Sequence, residues 1–245
     1  MQAYIGNITP IATVDFPNKI SLVVFFAGCD FRCCYCYNAN ILDFKQEFLI
    51  DLKNVRKEIE NNKNFVDAVV FSGGEPTLQP SVLTNLLRFS KKIGLKTAIE
   101  TNGSKPLVIK RLAEDIDYIS LDIKAPFEEK VFERVTKSKT FFKSSKDVMD
   151  NIRKTIDILK DFKGMIEVRT TIVPSLVYRK EDVLEIAKEV KDLNCVFVLQ
   201  QFRNDLGKLV NKNLANITPP TENFLETLRE SCLKAYPHMR IRVRV

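Results

Sequence analysis

The strongest constraint on how this chain folds is a rhythm of short apolar runs, each followed by a polar cluster and then a stretch of helical spacing. The runs near Lys19–Phe26, Val66–Phe71, Lys96–Glu100, Tyr118–Asp122, Met165–Val173 and Cys195–Gln201 have the length and residue types of buried strands. Between them, apolar residues recur at helical intervals over Leu52–Asn61, Ser81–Ile93, Pro106–Glu114, Val148–Leu159 and Glu181–Val190. A last helix near Glu222–Lys234 leads into a terminal strand, where Arg240 and Arg242 alternate with Ile241 and Val243. Strands alternating with helices predict βαβ units and a parallel sheet. Six such units are two short of a full eight-stranded barrel. The expectation is therefore an α/β fold, a partial (β/α)6 TIM-like barrel with a short N-terminal extension and a C-terminal helix and strand. It is read as a single domain over 1–245, with its core at about 19–204 and an extension over about 205–245.

The polar clusters are not scattered. The loop after the first run, Gly73-Gly74-Glu75, Glu100-Thr101-Asn102, Asp122-Ile123-Lys124, Arg169 and Gln200-Gln201 each lie at or near a predicted strand, most at its C-terminal end. In a closed or partly closed barrel those ends share one face, where barrel active sites are found.

The first of these loops holds the most specific chemistry, Cys29-x3-Cys33-x2-Cys36 within Gly28-Cys29-Asp30-Phe31-Arg32-Cys33-Cys34-Tyr35-Cys36. Three thiolates this close can hold three irons of a [4Fe–4S] cluster and leave the fourth without a protein ligand. Clusters that only carry electrons usually have four protein ligands. A vacant metal position is where chemistry happens, by the logic that separates catalytic from structural zinc. The competing reading is a zinc loop completed by Cys34 or a distant residue. Zinc motifs usually come as two paired ligand groups, and the rest of the chain offers only Cys195, Cys232 and His238, each alone. Cys34 breaks the spacing and reads as a small loop residue. Cys195 reads as a buried hydrophobe in an apolar strand.

Composition narrows the setting. The chain has 245 residues, 45% of them hydrophobic, enough for a sizeable core. Four of its six cysteines fall within one loop, which resembles a ligand set and not a disulfide framework. A reducing, cytoplasmic setting is expected, with no signal peptide at Met1–Pro10 and no apolar stretch near the roughly 20 residues that span a bilayer. The net charge of +7 is spread along the helices without a dense basic block. No nucleic-acid-binding signature is present, so acidic protein partners are the economical reading.

The remaining polar residues carry open assignments. Gly73 and Gly74 let a backbone approach a ligand closely, and Glu75 adds charge there or serves as a hydrogen-bonding turn residue. Arg169 interrupts an apolar strand, and charged residues are seldom buried without a partner. Lys124 and Arg169 suit a ligand carboxylate, arginine through a bidentate pair. Glu100 and Asp122 suit an ammonium or hydroxyls, or else pair with Lys124 or Arg169 as structural ions.

Taken in order, these motifs resemble the radical S-adenosylmethionine (SAM) superfamily, and within it the glycyl-radical-enzyme activating enzymes. The stretches that carry the likeness are Thr13-Val14-Asp15-Phe16-Pro17, the cysteine loop, Ser72-Gly73-Gly74-Glu75-Pro76-Thr77-Leu78 and Glu100-Thr101-Asn102-Gly103. Leu121-Asp122-Ile123-Lys124-Ala125-Pro126, Arg169-Thr170-Thr171-Ile172-Val173 and Gln200-Gln201-Phe202-Arg203 complete it. The nearest resemblance is to the short activating proteins of anaerobic ribonucleoside-triphosphate reductase, and the tail beyond about Asn204 adds nothing to it. The resemblance implies one three-cysteine [4Fe–4S] cluster on Cys29, Cys33 and Cys36. It also implies SAM held by Tyr35, Gly73, Gly74, Glu75, Glu100, Thr101, Asp122, Lys124, Arg169 and Gln201. The activity implied is reductive cleavage of SAM to a 5′-deoxyadenosyl radical, which takes a Cα hydrogen from a glycine of a partner enzyme. A low-potential donor such as ferredoxin or flavodoxin would supply the electron, and no catalytic residue is implied beyond cluster and SAM. The alternatives are a radical SAM enzyme that modifies a small molecule, RNA or another protein, and a non-catalytic metal or electron-transfer module. The chain departs from the family in having Cys34 before the loop aromatic, Tyr37 after the last cysteine, and Glu100 where aspartate is usual.

Overall fold

The computed structural model describes residues 1–245. Its strands are β1 (Gln2–Ala12), β2 (Ser21–Phe26), β3 (Leu49–Asp51), β4 (Ala68–Gly73), β5 (Lys96–Thr101), β6 (Tyr118–Asp122), β7 (Met165–Ile172), β8 (Val196–Gln201) and β9 (Arg240–Arg244). The helices are α1 (Leu52–Asn62), α2 (Pro80–Lys92), α3 (Pro106–Leu112), α4 (Glu129–Thr136), α5 (Ser145–Leu159), α6 (Lys180–Val190) and α7 (Glu222–Ala235). All nine strands form one sheet in the order β3-β1-β2-β4-β5-β6-β7-β8-β9. From β2 to β9 every neighbouring pair is parallel, and at least one helix lies on each crossover. The sheet ends in two free edges, β3 and β9, as an unclosed barrel requires. No helix is long and apolar enough to cross a membrane.

The six expected strands are present, and the terminal strand joins them as a seventh parallel member beside β8. The N-terminal extension is an eleven-residue strand antiparallel to β2, with β3 paired on its other side. Gly6 and Pro10 hide it in the sequence, since both weaken a strand pattern. Its register slips between Ile5 and Asn7 and again between Thr9 and Ala12, beside those two residues.

Helix starts follow local chemistry. Pro80 and Pro106 open α2 and α3, where a missing N–H costs nothing. Ser144 and Asp147 form a reciprocal capping box at α5, and the Thr221 side chain accepts from the Phe224 N–H at α7.

The two-residue period of the strands sorts residues between faces. One face, with Leu22, Val24, Phe26, Val69, Phe71, Ile99, Ile119, Leu121, Val168, Phe197 and Leu199, belongs to a large core shared with the helices. The other face starts apolar and small, with Val23, Ala68, Val70, Ala98 and Tyr118 closed over by Phe16. Two or four residues further along β4, β5 and β6, that face reaches Ser72, Glu100 and Asp122. The register Asp122↔Arg169 and Arg169↔Val198 puts Arg169 of β7 and Gln200 of β8 on the same face. The polar residues therefore share a face because they share a parity.

Candidate active site

The cysteine loop is held by backbone hydrogen bonds from several parts of the chain. Gly28 and Cys29 N–H groups donate to the Ile41 and Leu42 carbonyls at 2.8 and 2.9 Å. Arg32 and Cys34 N–H groups donate to the Thr136 and Val135 carbonyls at the end of α4, at 2.8 and 3.0 Å. The carbonyls of Cys34 and Cys36 accept from Asn211 and Val210. Asp30, which no motif singles out, ties the loop to the end of β5. It accepts from Asn102 Nδ2, Ser104 Oγ and Lys105 Nζ at 2.9, 2.7 and 2.9 Å.

Cys29, Cys33 and Cys36 all line one cavity of about 420 Å³, within the range of small-molecule sites. Cys34 lies outside that lining and packs its sulfur 3.2 Å from the Arg134 carbonyl. Burial pushes all three pocket thiols up, Cys33 to about 12. Such thiols become thiolates only when a metal replaces their protons.

The Gly73-Gly74 turn meets this loop directly. Gly73 has φ +115°, and a Cβ on Gly74 would strike the Gly28 carbonyl. The Gly74 and Glu75 N–H groups donate to the Phe26 and Gly28 carbonyls, both at 2.8 Å. Both glycines line the cavity, but Glu75 does not. Its fully buried carboxylate accepts from Thr77 N and Oγ1, Thr101 Oγ1 and the Asn102 N–H. Of the two roles open to Glu75, the geometry selects the turn and not a charge presented to a ligand. The Thr101 hydroxyl is spent on the same carboxylate.

Across the cavity sits a lattice of opposite charges. Arg169 donates from Nε to Asp122 at 3.0 Å and from Nη1 to Glu100 at 2.7 Å. Lys124 Nζ lies 2.9 Å from the other Asp122 oxygen, and Ser72 Oγ donates to Glu100 at 2.6 Å. Burial disfavours the ionised form of Asp122, but Arg169 and Lys124 prevail and hold it at about 2. Burial likewise opposes the Lys124 charge, and Asp122 overrides it, so the ammonium stays protonated. The ion-pair reading of these residues is thus realised, while all four still line the cavity.

Tyr35 is buried in the lining, its hydroxyl 3.4 Å from the Lys124 carbonyl. Gln201 also lines it but donates its amide to the Pro220 carbonyl at 2.8 Å. Gln200, of opposite parity, shares the face of the charged residues. The sequence reading missed Asp15, which reaches the cavity from the β1–β2 connection. Burial, and then the charge of Glu100, push its carboxyl up to about 6. It also missed the tail. Arg244 and Val245 line the cavity, and Arg244 pairs with Glu167 at 2.8 Å. A second cavity of about 320 Å³ lies among Lys191, Cys195, His238 and Arg240. It begins at the opposite ends of β8 and β9 and holds none of the cysteine loop.

The donor set suits the cofactors expected of it. No three cysteine, histidine or acidic side chains converge on a single ion, as a mononuclear zinc with ligands about 2.3 Å away needs. A cluster makes a looser demand, because each thiolate takes its own iron. The facing wall offers both signs of charge, as the ammonium, carboxylate and hydroxyls of SAM require.

Comparison with known proteins agrees. Residues 23–190 match the Radical SAM superfamily. Over 99% of its length the chain is 34% identical to a Methanocaldococcus jannaschii protein provisionally named a glycyl-radical enzyme activating enzyme, covering 97% of that protein. It is 30% identical to the pyruvate formate-lyase-activating enzyme of Clostridium pasteurianum over 78% of both chains. Among solved structures, a radical SAM methyltransferase from Sphaerobacter thermophilus shares the fold. It has a TM-score of 0.69 at 12% identity, with 96% of this chain and 68% of that one covered.

Proposed function

The chain belongs to the radical SAM superfamily, in the class of the glycyl-radical-enzyme activating enzymes, and on that footing we propose that it installs the glycyl radical of an anaerobic ribonucleoside-triphosphate reductase. The observation that carries the reading is the meeting, in one cavity, of three cysteines, a Gly-Gly turn and a mixed-sign charge lattice. Cys29, Cys33 and Cys36 would hold the [4Fe–4S] cluster through three of its irons. Gly73 and Gly74 would bring bare backbone to the amino-acid end of SAM, and Tyr35 would pack by its adenine. Glu100 and Asp122 would face the ammonium or ribose, with Arg169 and Lys124 partly freed for the carboxylate. Glu75 and Thr101 would hold the turn, and Gln200, which lines the cavity beside Gln201, would share the role expected of Gln201. When bound, cluster and SAM supply one electron and a carbon-centred radical able to take a glycine Cα hydrogen. No general base is required, because the hydrogen leaves with its electron.

The surroundings suit a polypeptide substrate. Val14, Tyr37, Leu206 and Val245 are exposed apolar residues from four separate segments, and all border the cavity with Arg203 and Arg244. Exposed apolar residues gathered at a site mark interaction surfaces. The reductase is favoured by Thr13-Val14-Asp15-Phe16-Pro17 and Gln200-Gln201-Phe202-Arg203, both of which contribute to this cavity. A second target, pyruvate formate-lyase, is favoured by the named relatives.

The test is anaerobic reconstitution with iron and sulfide, then SAM, a strong reductant and each candidate partner in turn. 5′-Deoxyadenosine is expected, with a glycyl radical signal in the reductase. Cys33→Ala should abolish the nucleoside product, and Cys195→Ala should leave it near wild type. Zinc in place of iron in protein isolated without oxygen would overturn the cluster reading. A radical confined to pyruvate formate-lyase would reassign the target.

A further inference from the structure

The segment Lys137-Ser138-Lys139-Thr140-Phe141-Phe142-Lys143-Ser144-Ser145-Lys146 links α4 to α5 and holds four lysines and no acidic residue. The basic residues are therefore not all dispersed along helices, as the composition suggested. Thr140 and Lys143 pair as a tight hairpin, the Thr140 N–H donating to the Lys143 carbonyl at 2.9 Å. Phe141 and Phe142 form its tip, 95% and 92% exposed, with ring centroids 5.1 Å apart. Two neighbouring aromatic rings left in water are costly, so their display calls for a partner. The base of the hairpin is anchored, because Glu133 accepts from the Lys139 N–H at 3.0 Å and from Ser145 Oγ at 2.6 Å.

What the hairpin sits beside decides what it could serve. The two residues before it, Val135 and Thr136, accept the N–H groups of Cys34 and Arg32 in the cysteine loop. Lys143 feels the charges of Lys105 and Asp30, the pair that ties that loop to β5, and of Asp147 at the start of α5. Yet no residue from 125 to 168 lines the cavity. The end of α4 thus backs onto the cysteine loop, and the hairpin that follows it leaves the cavity free for a polypeptide substrate.

We propose that this Phe-Phe hairpin and its lysines are the docking surface for a small acidic, low-potential redox protein that reduces the cluster of the cysteine loop. The proposal rests on the cluster reading above. Four lysines, with Glu133 at the base of the hairpin and Asp147 just past the far end of the segment, leave this surface net positive, which matches an acidic partner and steers its approach. An apolar centre ringed by charge matches the core and rim of a protein interface. Its small size suits the brief encounters of electron transfer, which bury less area than stable complexes. One electron leaves the donor and enters the cluster, and no bond is made or broken. A membrane surface is the other occupant of this chemistry. It is disfavoured because a single aromatic tip buries little apolar area, and adjacency to the cysteine loop would then serve nothing.

The test uses the full-length reconstituted protein and a flavodoxin as probe. Titration with oxidised flavodoxin gives a dissociation constant, and anaerobic mixing with reduced flavodoxin gives a rate from bleaching of the cluster absorbance. Phe141→Ser with Phe142→Ser, and Lys139→Glu with Lys143→Glu, should each weaken both by about tenfold or more at low salt. The charge-reversal effect should shrink as salt rises, and reduction by dithionite should not change in either variant. Equal binding and rates in all proteins, or a flavodoxin that neither binds nor reduces the wild type, would overturn the proposal. Capture of wild type but not the Phe variant on phosphatidylserine vesicles, with flavodoxin binding unchanged, would reassign the surface to membranes. A cysteine loop that holds no dithionite-reducible cluster would instead sink the functional reading, a failure visible without flavodoxin.

Discussion

Glu75 and Asp122 are carboxylates at the ends of β4 and β6, both withdrawn from water, and their surroundings push them in opposite directions. Glu75 meets only dipoles, two backbone N–H groups and two hydroxyls, with the negative Asp30 nearby. Burial and that neighbour raise it to about 7. Asp122 lies between two cations and is held at about 2. Dipoles fix the direction of a backbone, whereas fixed cations keep a charge in place. The first arrangement makes a scaffold for the Gly-Gly turn, and the second makes a wall of the cavity that stays charged.

The harshest way to break this contrast is Arg169→Ala. It removes the cation shared by Glu100 and Asp122 and leaves both carboxylates only part-exposed. A loss of about 3–5 kcal/mol in denaturant unfolding is expected, the usual cost of stranding one side of a buried pair. SAM cleavage should also be lost. A change below about 1 kcal/mol would show that Lys124 alone sustains Asp122, since exposed pairs rarely contribute more.

The pH dependence of stability sharpens it. The folded pKa of Glu75 is raised from 4.5 to about 7, so its contribution is full below pH 4.5 and is lost as pH climbs through 7. The decline should total about 3 kcal/mol, at 1.36 kcal/mol for each unit of pKa. Asp122 has the opposite sign. Its contribution is present above pH 3.8 and is lost as pH falls toward 2. Glu75→Gln should remove its share of the decline, leaving the part that Asp15, raised from 3.8 to about 6, contributes below pH 6, and leaving the acid limb untouched. A decline that persists between pH 6 and 7 in this variant would mean that another group carries it.

The smallest effect belongs to Tyr35→Phe. At 3.4 Å its hydrogen bond to the Lys124 carbonyl is long, so less than about 1 kcal/mol of stability should be lost. SAM cleavage by the reconstituted enzyme should stay near wild type. A large loss would make the hydroxyl part of the ligand site and not only the ring.

Much of this was legible in the chain, and unevenly so. The six strands were readable because each is a short apolar run ending in a polar cluster. The seven-residue helix α3 was found because Pro106 marks its start, while the eight-residue α4 carries no such cap. β1 escaped because Gly6 and Pro10 break its alternation. Arg169 stood out as a charge inside an apolar strand, and it is the hub of the charge lattice. Gln200 and Gln201 could not be separated by composition. Parity along β8 and the bond to Pro220 distinguish them.

The sequence by itself determined the strand–helix alternation, the cysteine spacing and the placing of polar clusters after strands. Those are local patterns, set by a period of two or 3.6 residues and by neighbours along the chain. Tertiary structure alone decided that Glu75 turns inward, that Arg169 chooses Asp122 and Glu100 over a free role, and that Arg244 returns to the cavity. It also decided that the end of α4 packs against the cysteine loop. These contacts join residues 77 positions apart in Arg244–Glu167 and 100 apart in Cys34–Arg134, and a chain shows which distant groups meet only once packing has brought their strands together.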